Sequence, residues 1–234
     1  MTQENSSQFI LDNYKDFLRI ISHDFNAPLR QLDSFVNLLA TKIEPRMDEE
    51  EKLYIEFINK SLWRLNIMQK SLLELSRVAT NEEAPIKVES LSLVESALNK
   101  LEKPIKEHSA IITHENLPAF TVVESQLETV FFHLIENALT YHSDDNNERK
   151  IHISSIKDNN NIIFTVEDNG IGIEDRYHTD IFDMFRRLHS ESNYAGHIGA
   201  GLSITKSIIE KHSGKIWIEN SGNNGTKISF SLPK

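Results

Sequence analysis

The chain has 234 residues, 39% hydrophobic and 26% charged, with a formal charge of −10 and no cysteine. That is enough apolar material for one large domain or two small ones, while disulfides and thiol catalysis are excluded and an acidic balance argues against broad nucleic-acid binding. No apolar run approaches the ~18 residues of a membrane-spanning helix. The opening MTQENSSQF lacks the basic and apolar parts of a secretory signal, so a cytoplasmic chain is expected.

The first third predicts a helical hairpin. Leu29, Leu32, Val36, Leu39 and Ile43 follow a 3,4,3,4 spacing, a heptad-like seam. Within SHDFNAPLRQ, Pro28 removes the amide that would bond to the carbonyl of Asp24, at a cost of roughly 3 kcal/mol. The weakened turn lies beside His23. EPRMDEEE breaks the pattern with Pro45, and the acids Asp48 to Glu51 suit the first turn of a new helix. Ile58, Leu62, Leu65, Met68, Leu72 and Leu75 form a second seam. Each helix is expected to run ~30 residues or ~45–50 Å. Two such helices cannot bury their stripes well alone, so a four-helix bundle across a two-fold axis is the expected solution. The seams by themselves equally suit a coiled-coil spacer.

TNEEAPIK (residues 80–87) carries a polar cluster and Pro85, and 81–87 is read as a linker between a hairpin over 1–80 and a domain over 88–234. SLVESALNKLEKPIKEH predicts a helix, AIITHE and AFTVV short strands, and ESQLETVFFHLIENALTYHS a second helix. KIHISSIK and NIIFTVED alternate as paired strands around a polar turn. The helix GLSITKSIIEKH stops at Ser213-Gly214, and KIWIEN and GTKISFSLP close as a hairpin. The result is an α/β sandwich with helices on one face of a mixed sheet.

Three segments of this domain carry chemistry. Asn137 sits on the helix HLIENALTYH and offers a neutral oxygen. Asp168 ends a strand in VEDNGIGI and suits an exocyclic amine, with Gly170 and Gly172 allowing a sharp turn and close approach. Gly199 and Gly201 open a helix whose free amides and dipole suit phosphate. Each is weak alone; their order, spacing and context are specific.

In that order the segments resemble the boxes of a sensor histidine kinase core over nearly the whole chain. SHDFNAPLRQ is similar to the histidine box, HLIENALTYH to the asparagine box, and EDNGIGI to the first glycine box. IFDMFRRLH is similar to the phenylalanine box and GAGLSITKSIIEKHSGKIWIEN to the second glycine box. FRRLHSESNY resembles phytochrome-type kinases. The resemblance implies an α+β fold: a helical hairpin that forms a four-helix bundle in the homodimer, then an ATP-binding α/β sandwich.

It also implies roles. His23 would attack ATP, and Asp24 would accept a hydrogen bond from the other ring nitrogen. Asn137 would hold Mg²⁺, and Asp168 would read adenine with Thr226 helping through water. Tyr141 would line the base site or serve as a structural tyrosine. Arg187 could contact phosphate, and Gly199, Gly201 and Leu202 form the turn into the last helix. The phosphoryl group would pass in trans to an aspartate of a response-regulator receiver domain.

Four positions depart from the family pattern. His133 stands where many relatives carry Asn or Glu, Thr140 replaces a common lysine, and the lid around Gly196 has one extra residue. Ala27, four residues after His23, replaces the Thr or Asn with which bifunctional relatives position a hydrolytic water. Two other readings stay open: a catalytically weak phosphotransfer or scaffold dimer, and an ATPase that shares only the nucleotide fold.

Overall fold

The computed structural model describes residues 24–115, 117–142, 148–158, 160–186, 188, 198–222 and 225–234, without the side chains of 220–222. The chain divides into two compact units, Met1–Asn81 and Glu82–Lys234.

In the first unit, α1 is helical over residues 24–43, Pro28 included. A short 3-10 turn, Glu44–Arg46, precedes the 32-residue helix α2, Glu49–Thr80. The acids expected in its first turn do specific work. Asp48 Oδ1 accepts the amide of Glu51 at 2.8 Å and Glu51 Oε2 accepts the amide of Asp48 at 2.9 Å, a reciprocal cap.

The heptad stripes are split along their length. Leu29, Val36 and Ile43, seven apart, are buried or half-buried within one chain, as are Ile55, Leu62 and Gln69. The adjacent edge, with Leu32, Leu39, Ile58 and Leu65, is exposed. Leu62, grouped by its seam with Leu65, therefore belongs to the shielded edge.

The second unit runs β1 (Ile86–Glu89), α3 (Ser90–Lys100), α4 (Glu102–Glu107), β2 (Ile111–Glu115), β3 (Ala119–Val122) and α5 (Glu124–Thr140). It continues with β4 (Lys150–Asp158), β5 (Asn161–Asp168), α6 (Gly201–Lys211), β6 (Lys215–Gly222) and β7 (Gly225–Pro233). Ile86 and Lys87, read from sequence as the end of a linker, already form β1 and pair with β3. The predicted helix after residue 90 is two helices, interrupted at Leu101, with Pro104 in the first turn of the second, where its missing amide costs little.

The main sheet has the order β2-β4-β5-β7-β6, with β2 parallel to β4 and the other neighbours antiparallel. Alternation puts Ile162, Phe164 and Val166 of β5 opposite Leu232, Phe230 and Ile228 of β7. All six are buried. Phe131 of α5 meets Phe164 edge-on at 5.7 Å, and Phe164 stacks on Phe230 at 5.2 Å. Leu127, Leu134 and Ile135 of α5 and Ile204, Ile208 and Ile209 of α6 fill the rest of this layer.

The other residues of these strands carry a polar ladder. Thr165 and Ser229 share a hydroxyl hydrogen bond at 2.8 Å, Ser229 donates to Glu219 at 2.8 Å, and Glu219 pairs with Lys227 at 2.9 Å. The register of β6 shifts between Ile218 and Asn220, so Glu219 is the extra residue of a bulge on the edge strand.

Helix α6 stops as expected but with the roles of two residues exchanged. Ser213 takes the left-handed conformation, φ 59°, while the Gly214 amide bonds back to Ile209 O at 2.9 Å. Gly214 is required by crowding: a Cβ there would fall 2.0 Å from Ser231 O.

Candidate functional site

The alternation that buries Phe164 and Val166 puts Asp168, the last residue of β5, on the same side of the strand. Two backbone amides meet its Oδ1, Gly170 N at 2.8 Å and Thr226 N at 3.2 Å. Oδ2 has no hydrogen bond among the described residues. Burial pushes this carboxyl up to about 6, against the pull of the two amides and of positive charge on His142, with Glu167 adding to the rise. At neutral pH Asp168 is thus ionised, held by one oxygen and able to accept through the other.

The loop around it is built on close approach. A Cβ at Gly170 would lie 2.1 Å from Tyr141 O, and that carbonyl accepts the Ile171 amide at 3.1 Å. The chain leaving α5 is thereby pinned to the chain leaving β5. Asn169 between them is structural: its Oδ1 accepts the Lys150 amide and its Nδ2 donates to Glu148 O, both at 2.8 Å. Arg149 donates to Leu139 O at 2.5 Å, putting a cation at the C-terminal end of α5. Gly172 turns with φ 74°, a conformation that favours glycine.

On α5, Asn137 is half-buried one turn after His133. Thr140 donates its hydroxyl to Glu136 O at 2.7 Å, so it serves its own helix. The His133 ring lies against the start of α6: a Cβ on Gly201 would fall 3.1 Å from Nδ1, and Glu136 Oε2 is 3.6 Å from the same nitrogen. Helix α6 has no side-chain cap at Ala200, and Gly199 before it takes φ 77°. Its first amides are the kind of orphan donors that anions satisfy.

Of the residues singled out by sequence, Tyr141, Asp168, Gly170 and Thr226 are joined directly through backbone contacts, and His133 and Gly201 through packing. Thr226 gives its backbone amide to Asp168 Oδ1. Asp24 is exposed in α1, within the other unit. His23, Arg187 and Gly196 lie outside the described residues. Sequence reasoning missed His142, Asn169 and Gly225. Gly225 reads as one more turn glycine, yet it takes φ +119°, and a Cβ there would fall 1.9 Å from Asp168 O. A buried histidine directly after the asparagine helix was the available signal for His142, which is 6% exposed.

The fold is that of an ATPase domain of the kinase and chaperone type. Residues 122–234 match the family of histidine kinase-, DNA gyrase B-, and HSP90-like ATPases. The phytochrome-like protein Cph1 of Synechocystis is 34% identical over 219 residues, covering 94% of this chain and 29% of that protein. By fold, full-length ShkA in complex with AMPPNP aligns with a TM-score of 0.68 at 18% identity, over 93% of this chain and 45% of that one. The histidine kinase ThkA, in complex with the response regulator TrrA, aligns with a TM-score of 0.63 at 21% identity, over 99% and 66%. The chain has a sensor histidine kinase core. It spans less than a third of the length of the phytochromes that it matches. Among the described residues no helix is long and apolar enough to cross a membrane.

Proposed function

We propose that this chain is an ATP-dependent protein histidine autokinase of a two-component system. His23 attacks the γ-phosphorus of ATP through a neutral ring nitrogen, the bond from phosphorus to the bridging oxygen breaks, and ADP leaves. Asp24 accepts a hydrogen bond from the other ring nitrogen and orients the imidazole. The phosphoryl group then passes to an aspartate on a separate receiver domain, as the likeness to a kinase crystallised with a response regulator suggests.

The observation that carries the reading is the division of labour at Asp168. One carboxylate oxygen is held by the amides of Gly170 and Thr226 while the other stays available for an exocyclic amine. Glycines at 170 and 225 keep the surrounding backbone too close for any side chain. The uncapped start of α6 suits the phosphates. Asn137 supplies one neutral oxygen, which fits a Mg²⁺ ion held mostly by phosphate and water. Such an ion would offset triphosphate charge. The exposed edges of α1 and α2 support a homodimer, in which each chain covers the other's Leu32 and Leu39.

Thr140 favours the second reading, a phosphotransfer scaffold with little turnover, because its hydroxyl is engaged by Glu136 O and supplies no cation to a phosphate. Incubation with γ-labelled ATP separates the two. An autokinase retains label that is lost in acid and absent from His23→Ala, whereas the scaffold retains none.

A further inference from the structure

Between β5 and α6, Phe185 takes φ 62°, a left-handed conformation that crowds any residue with a Cβ and is rare for a bulky one. Such a conformation persists only where the surroundings enforce it. Just before it, Ile181 and Phe182 are buried in a 3-10 turn, Asp180–Phe182, that lies against α6. The Asp183 amide bonds to Asp180 O at 3.0 Å, and Arg186, just after Phe185, pairs with the Asp180 carboxylate at 3.0 Å. Held from both sides, Phe185 gives its amide to Gly199 O at 3.0 Å.

That carbonyl belongs to the turn that opens α6. Gly199 has φ 77°, and Ala200 after it is right-handed, with φ −103° and ψ −25°. A left-handed residue followed by a right-handed one turns successive amides toward a common concavity that suits an anion. A trans peptide is planar, with its carbonyl and its amide on opposite sides. With Gly199 O bonded to Phe185, the Ala200 amide is fixed pointing away from residue 185. Beyond it, α6 has no side-chain cap, and the Ile204 amide bonds to Ala200 O at 3.0 Å.

We propose that Phe185 is a positioning residue for the phosphate end of the nucleotide site and acts through its backbone. Its amide sets the plane of the Gly199–Ala200 peptide and thereby the aim of the amides that open α6. The proposal rests on the nucleotide reading above. What matters at 185 is the conformation the residue can adopt, more than the surface its side chain covers. A residue for which positive φ is costly spends less time bonded to Gly199, and the apparent affinity for phosphate falls with that fraction.

The test compares Phe185→Gly, Phe185→Ala and Phe185→Val with the wild-type chain. Each is titrated with ADP by calorimetry and with adenosine, which lacks the phosphates, by nuclear magnetic resonance. Phe185→Gly should bind ADP at least as tightly as wild type. Phe185→Val should bind it roughly tenfold more weakly than Phe185→Gly, with Phe185→Ala between them. Adenosine should bind all of them alike. Side-chain packing alone would give the reverse order, since valine keeps the most apolar surface and glycine the least. Any two variants that fold are enough to read the order. A reversed or flat order for ADP overturns the proposal, and so does an adenosine series that follows the ADP series. Failure of the wild-type chain to bind either molecule overturns the nucleotide reading instead.

Discussion

The start of β7 is pressed onto the end of β5: a Cβ on Gly225 would fall 1.9 Å from the carbonyl oxygen of Asp168, at a φ of +119°. The next residue, Thr226, gives its amide to the Asp168 carboxylate. Gly225→Ala is therefore expected to cost stability and nucleotide affinity together, with backbone strain alone contributing ~1–3 kcal/mol. Denaturant unfolding and ADP calorimetry on the same variant check this. A variant as stable and as tight-binding as wild type would show that the contact can be relaxed without loss.

The split stripes of the first unit make different demands on different leucines. Leu32 and Leu39 are each 52% exposed in one chain, whereas Leu62 is 6% exposed. Changing Leu32 and Leu39 together to Ala should weaken the proposed dimer and leave helix content intact. Leu62→Ala should instead lower stability by roughly 2–5 kcal/mol, the usual cost of emptying a buried leucine site. Light scattering and circular dichroism distinguish the two, and a wild-type monomer at micromolar concentration would sink the bundle.

His212 joins the end of α6 to the start of α5. Its Nδ1 lies 2.8 Å from Ile208 O, and its Nε2 accepts the Val123 amide at 3.4 Å, an arrangement that requires a neutral ring with the proton on Nδ1. Burial holds its pKa below the ordinary histidine value, with Lys211 assisting and the Ile208 carbonyl opposing. The fold therefore favours the neutral ring. This stabilisation is fully present above about 6.5, the unfolded value, and is lost as pH falls through the depressed folded one. Asp168 acts the other way, since its raised pKa favours the fold at low pH and loses that effect as pH rises through about 6. The readout is thus the difference between wild type and His212→Gln: from pH 7.5 to pH 5 the wild type should lose more stability than the variant. Equal losses would remove His212 from the balance.

Under the proposed autokinase reading, Ala27 bears on how the phosphorylated regulator is reset. Relatives that hydrolyse the regulator's phosphoryl-aspartate hold a water with a polar side chain one turn after the histidine, and positioning supplies much of such a rate. A methyl group stands there, exposed on α1. Phosphotransfer should be strong and phosphatase action weak. Adding the protein with ADP to a purified phosphorylated regulator and following inorganic phosphate checks this. Rapid release that survives His23→Ala would assign the water to another residue, such as Asn26.

Periodicity was a good guide where burial is one-sided. The heptads marked α1 and α2, and alternation marked β4, β5 and β7, because in each case one face meets a core. It was a poor guide where the chain is held by backbone. Strand β1 hides in a polar stretch because only Val88 of its four residues is buried. Asn169 sits inside a recognisable box, but its clamp on Glu148 and Lys150 depends on strand pairing that no local pattern announces. Gly225 looked like loop punctuation because its need for a bare Cα arises from Asp168, 57 positions earlier in the chain. Asp168 was legible because its parity with Phe164 and Val166 continues across the strand end.

The bulge at Glu219 has a consequence for assembly. An open sheet ends in a row of unpaired amides and carbonyls that can recruit a strand from any neighbouring molecule. β6 is such an end, and its ladder is interrupted midway, with a glutamate–lysine pair beside the interruption. A kinked, charged border is a poor template. Sheet-to-sheet adhesion through the β6 edge is thereby discouraged, which accords with the proposed pairing of two chains through the exposed edges of α1 and α2.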